Sequence, residues 1–157
     1  MPFEVVAGDV LEALGGALVL PVDGVQRGLE GNLARAFAAR WPAEWEAIAR
    51  QARYPIPLGR IAGFETLGEC PWPVVVLAST LHHVGVIDDG EKRRIAISAF
   101  LLAIDEARRL GAKEVCLAPL SGGWRLDPAA AVEAMERSWS AAAPRLGDMS
   151  VRVYRRQ

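Results

Sequence analysis

Lysine is scarce: Lys92 and Lys113 stand alone among 18 basic residues, and the rest are arginine. A lysine-nucleophile mechanism therefore has few candidates, and both stand at the start of regular elements, one of a helix and the other of a strand. Cysteine is equally scarce, with Cys70 and Cys116 far apart and fitting neither a zinc spacing nor a disulfide framework. Both are expected to be reduced, Cys116 as a small apolar residue within a strand and Cys70 in a turn-rich segment beside Pro71. The only histidines, His82 and His83, are adjacent, so their side chains diverge, and no Cys/His spacing accompanies them. No metal and no cofactor is expected. Excess charge is missing too: 18 basic against 19 acidic residues leave a net charge of -1. That balance argues against a general nucleic-acid or anionic-membrane surface. Arg152, Arg155 and Arg156 are then expected to form a solvated edge. No apolar run approaches bilayer length, and Met1-Pro2-Phe3-Glu4 lacks a signal-peptide pattern, so a cytoplasmic location is expected.

What is present is core material. With 157 residues, 52% hydrophobic and 24% charged, the chain suits one domain, 1–157. Phe3 to Val6 alternates toward a strand, Leu11 to Leu14 suits one helical turn, and Ala17 to Val22 is an apolar run expected as a buried strand. Helices are expected from Leu33 to Arg40 and from Pro42, the latter with Trp45, Ile48 and Ala52 on one face. Arg60 to Thr66 and Val74 to Ala78 read as an antiparallel strand pair. Glu91 to Leu110 follows as the longest helix, stopped by Gly111, then a strand at Glu114 to Ala118, a helix from Pro128 to about Ala143 and a strand at Ser150 to Tyr154. Such alternation implies an α/β domain with a mixed, mostly parallel sheet.

The stretch Ala118 to Pro128 joins a strand to a helix start through Gly122 and Gly123. Glycines there free the backbone to turn N–H groups inward, which suits an anion as well as a plain turn. Asp127 is expected to cap the helix with its carboxylate, and Pro128 to take the first helical position. Ligands of open α/β sheets sit at the strands' carboxyl ends. That rule gathers Asp9, Asp23, the Val25 to Asn32 loop, the histidine segment and the Ser121-Gly122-Gly123 loop into one region.

In this order and spacing the chain resembles a macro domain, the three-layer α/β/α module that binds ADP-ribose. The residues that carry the resemblance are Gly8-Asp9-Val10 after the first strand, Val19 to Asp23, Gly28-Leu29-Glu30-Gly31-Asn32, Gly59-Arg60-Ile61-Ala62 with Val74 to Leu77, and Pro119 to Pro128. The resemblance implies that Asp9 accepts from the adenine amino group and that the Val10 N–H meets a ring nitrogen. Local sequence alone also allows Asp9 an Asx turn or cap. By the same resemblance, Gly28 and Gly31, with Asn32, flank the distal ribose, and backbone N–H groups of Ser121, Gly122 and Gly123 hold the diphosphate. Trp124 or Arg125 closes over the ligand, and Tyr154 packs against adenine.

The chain departs from hydrolytic members at Leu20-Pro21-Val22-Asp23, where they carry two asparagines. Leu20 cannot hydrogen-bond a sugar, whereas the Asp23 carboxylate can accept from ribose hydroxyls or serve as a base. Arg125 stands where a lysine-dependent class would need an acid, and Glu30 near a diphosphate opposes binding unless it faces solvent. The expected function is binding of ADP-ribose or a related adenine nucleotide. The alternatives are hydrolysis, removing ADP-ribose from proteins or deacylating O-acyl-ADP-ribose with Asp23 at the reaction centre, and a scaffold that kept the fold but lost the site.

Overall fold

A computed structural model describes residues 3–26, 28–82, 84–86, 88–121 and 126–156. Its strands are β1 (Phe3–Ala7), β2 (Ala17–Val22), β3 (Ile61–Glu65), β4 (Val74–Ser79), β5 (Glu114–Leu117) and β6 (Ser150–Arg155). Its helices are α1 (Asn32–Arg40), α2 (Pro42–Gln51), α3 (Asp89–Arg109) and α4 (Pro128–Ala142), with short 3-10 turns at Val10–Glu12 and Ala143–Arg145. The strands form one sheet in the order β1-β6-β5-β2-β4-β3, parallel throughout except for the antiparallel β3–β4 edge. This is the mixed, mostly parallel sheet expected from the alternating pattern.

The apolar runs are continuous because the central strands are covered on both faces. Ala17 and Val19 of β2, with Val74, Val76 and Ala78 of β4, pack beneath α3 and α4, meeting Phe100, Ile104, Met135 and Trp139. Their neighbours Leu18, Leu20, Val22, Val75 and Leu77 face the other way, against Phe37 of α1, Ile48 of α2 and Trp72. The result is three layers, α/β/α. On the α1/α2 side Phe37 meets Trp41 and Trp72 at ring-centroid distances of 5.2 and 6.2 Å, within the range of attractive aromatic pairs.

Two helix N-termini differ from expectation beyond a single residue, one in its start and one in its cap. α3 begins at Asp89, two residues ahead of Glu91, because Asp88 caps it by accepting the Glu91 N–H at 2.8 Å. Asp127 occupies the N-cap of α4, but its carboxylate makes no capping bond. The ring of Pro128 fixes φ at the first helical position, so α4 starts without that help. Both cysteines are free and buried, and burial raises both thiols, Cys116 to about 12. Neither is poised as a nucleophile.

Glu44 of α2 is fully buried. Its carboxylate accepts the N–H groups of Leu67 at 2.6 Å, Glu69 at 2.8 Å and Cys70 at 3.1 Å, tying α2 to the β3–β4 turn. Burial alone would raise its pKa, but the backbone donors outweigh that cost and hold it below its ordinary 4.5. A depressed folded-state pKa means the carboxylate stabilises the fold above pH 4.5 and stops doing so as pH falls through the lowered value. Glu44→Gln is expected to lose about 2–3 kcal/mol at neutral pH, since an amide cannot replace an ionised acceptor of three bonds. In urea unfolding the gap between variant and wild type should close on acidification, and a gap independent of pH would contradict this role.

Candidate functional site

Parallel β1, β6, β5, β2 and β4 all end on one rim, and there a cleft of about 740 Å³ opens. The end of β1 supplies Gly8, Asp9 and Val10; the end of β6 supplies Tyr154, Arg155 and Arg156. Ala118, Pro119 and Ser121 follow β5, Pro21 comes from β2 and Leu81 follows β4. Asn32, Leu33 and Ala36 of α1 and Pro128 of α4 complete the walls, so two helices begin at the cleft.

Asp9 is the N-cap of the first 3-10 turn, and its Oδ1 accepts the Leu11 N–H at 2.9 Å. Its Oδ2 accepts from Arg156 Nη2 at 2.9 Å. The Leu11 N–H and then Arg156 draw its pKa below the ordinary 3.8, against the opposing effect of burial. The carboxylate is thus ionised and oriented. Val10, buried at 3% exposure, lines the cleft beside it.

At the end of β2 the residues alternate: Leu20 and Val22 enter the core while Pro21 faces the cleft. Leu20 therefore packs against the α1/α2 layer. Asp23 is not among the lining residues. Its Oδ1 accepts the N–H groups of Val25 at 3.1 Å and Gln26 at 3.3 Å, and its Oδ2 lies 3.3 Å from His82 Nδ1. The carboxylate is engaged in holding the next loop and orienting a histidine. His83 lies outside the described residues, among which no group of acidic, Cys and His side chains could hold a metal.

The first glycine-rich loop returns to β2 through a bridge, the Asp23 N–H donating to the Glu30 carbonyl at 2.7 Å. Gly28 takes a φ of 108°, a conformation that disfavours side chains, and Leu29 is buried beside it. The Glu30 carboxylate is 75% exposed and lies 3.5 Å from Arg35, so it faces solvent and leaves the cleft free of its charge. At Gly31 a Cβ would stand 2.7 Å from the Pro21 carbonyl and 3.0 Å from Leu81 Cδ1. Gly28 and Gly31 support the wall without lining it, whereas Asn32 lines it.

In the second loop Ser121 lines the cleft, and its N–H donates to the Pro119 carbonyl at 2.8 Å. Gly122, Gly123, Trp124 and Arg125, expected to contact a diphosphate and a ribose, lie outside the described residues. Tyr154, half-buried, lines the cleft from β6.

Arg155 and Arg156 are exposed, as expected of a solvated edge, and these two also reach the cleft. Arg152 faces Glu4 and Glu114, but Arg155 and Arg156 line the cleft and Arg156 holds Asp9. Parallel pairing of Ala7 with Arg155 brings the two strand ends level, a long-range register that local sequence does not carry. Leu33, Ala36 and Leu81 were likewise unread, being apolar positions indistinguishable from core.

No family model matches this sequence, and no curated protein matches it. Solved structures do. The macrodomain of Thermus aquaticus DarG aligns at a TM-score of 0.70 over 96% of this chain and 96% of its own, with 20% identity. That of Mycobacterium tuberculosis DarG aligns at 0.70 with the same coverage and 22% identity. An Oceanobacillus iheyensis macrodomain solved with ADP aligns at 0.79 over 98% of this chain and 82% of its own, with 12% identity. At these identities the likeness is one of fold.

Gly31→Ala is expected to cost about 1–3 kcal/mol in urea unfolding, because a backbone carbonyl must give way to the new methyl. An unchanged midpoint would show that β2 and the first loop can separate at no cost.

Proposed function

We propose that this chain, which has the macrodomain fold, binds ADP-ribose or a closely related adenine nucleotide in the cleft at the strand ends. The observation that carries the reading is the pairing, in one cleft, of an oriented carboxylate with two helix N-termini. Asp9 offers an acceptor for an exocyclic amino group, with Tyr154 available to pack against a base. α1 and α4 start at the cleft without a side-chain capping bond, so their first N–H groups and dipoles favour an anion such as a diphosphate. Among the described lining residues Asp9 is the sole carboxylate, against Arg155 and Arg156. The charge balance therefore suits a ligand that is anionic at one part and bears an amino group at another.

The neighbours solved with ADP and, for a variant of the same protein, with ADPR supply the ligand class. Binding is favoured over hydrolysis because the Asp23 carboxylate is already engaged by two N–H groups and His82. It is favoured over a scaffold without a site because the cleft is open and Glu30 stays outside it.

Millimolar ADP-ribose is expected to raise the melting temperature, as any ligand of the folded state must. Asp9→Ala should weaken binding by calorimetry about tenfold or more, the effect of losing a bond to a charged acceptor. Ala36→Trp, at an exposed position on the cleft wall, should abolish binding while leaving the fold intact. No stabilisation of the wild type would exclude the reading. Any turnover of an ADP-ribosylated substrate that survives Asp23→Ala would exclude Asp23 as its base.

A further inference from the structure

We propose that Arg156 is a competitor built into the cleft: its guanidinium sits on the Asp9 oxygen that the backbone leaves open, where its bulk and charge oppose the approach of an adenine amino group, and it shifts aside when the base binds. This rests on the adenine-binding reading above and assigns Arg156 the role of setting base affinity.

Both oxygens of the Asp9 carboxylate have partners within the protein. Oδ1 is held by the Leu11 N–H at 2.9 Å within a turn whose Glu12 and Ala13 N–H groups bond back to Asp9 and Val10, each at 3.0 Å. Val10 and Leu11 are buried, so that partner cannot leave without unfolding the turn. Oδ2 is held by Arg156 Nη2 at 2.9 Å, from a side chain 76% exposed that lies just past the end of β6. Of the two, only Arg156 can leave at small cost, since an exposed ion pair shifts an equilibrium by no more than about fivefold. A donor arriving along the cleft, beside Tyr154, therefore meets a carboxylate shaped for it but already engaged. Once released, the arginine keeps its charge at the cleft mouth, where it attracts an anionic ligand. Its two effects oppose each other in a charged nucleotide and separate in an uncharged one.

Adenosine, which carries the base and no phosphate, is the probe. Binding followed by NMR titration is expected to be about two- to fivefold tighter in Arg156→Ala than in the wild type. Raising salt from about 20 to about 500 mM should tighten adenosine binding to the wild type by screening the ion pair and leave the variant unchanged. Weaker adenosine binding by the variant would overturn the proposal and assign Arg156 to direct contact with the base. Equal binding, or adenosine binding by neither protein while both bind ADP-ribose, would also overturn it, with the nucleotide reading left standing. Failure of both proteins to bind ADP-ribose would remove the nucleotide reading and this proposal together.

Discussion

The rest of the molecule is arranged around a strand buried on both faces until its cleft end: Ala17, Leu18, Val19, Leu20 and Val22 of β2 are fully buried and only Pro21 opens to the cleft, so the sheet must be covered on both sides there. Parallel neighbours on each side make the same demand, since β4 and β5 place successive residues in opposite layers. Because β1, β6, β5, β2 and β4 run parallel, their carboxyl ends lie on a single rim, and only the antiparallel β3 ends opposite. The cleft follows from that geometry. Its chemistry is then decided by the few residues beyond each strand end, where the chain is released from the ladder.

Much of this was legible locally. The continuous run at Ala17 to Val22 announced a strand buried on both faces, and the short gap between the β3 and β4 patterns announced the antiparallel edge. Gly8-Asp9-Val10, Asn32 and Ser121 pointed to the rim because they stand beyond strand ends, where α/β sheets hold their ligands. Partnerships spanning long distances were not legible. Asp9 and Arg156 stand 147 positions apart, and their meeting depends on β1 lying beside β6 in parallel register. Glu44 gave no sign of burial, since its three donors arrive from a turn 23 to 26 residues further on. Asp127 shows the opposite failure: a residue of the right type sits at the N-cap of α4, yet its carboxylate makes no capping bond and leaves the first N–H groups of the helix open.

The two buried or half-buried carboxylates of greatest interest illustrate how one chemistry serves different ends. Glu44 is satisfied by three backbone donors and sealed from water, so it acts as a clamp between a helix and a turn. Asp9 is held by one backbone donor and one exposed cation, so one of its two partners is not fixed by the fold. The difference lies in whether the partner is fixed by the fold.

The side-by-side parallel pairing of the first and last strands sets the geometry of attachment. Phe3 is level with Val151 and Ala7 with Arg155, so the chain enters the sheet at one rim and leaves it at the other. A dye, affinity tag or fused domain joined after Arg156 would start at the mouth of the cleft, beside Asp9. The same group joined ahead of Phe3 would start roughly 13–17 Å away at the opposite rim, given the rise per residue of a strand. Labelling, immobilisation and fusion of this protein should therefore be carried out from the β1 side.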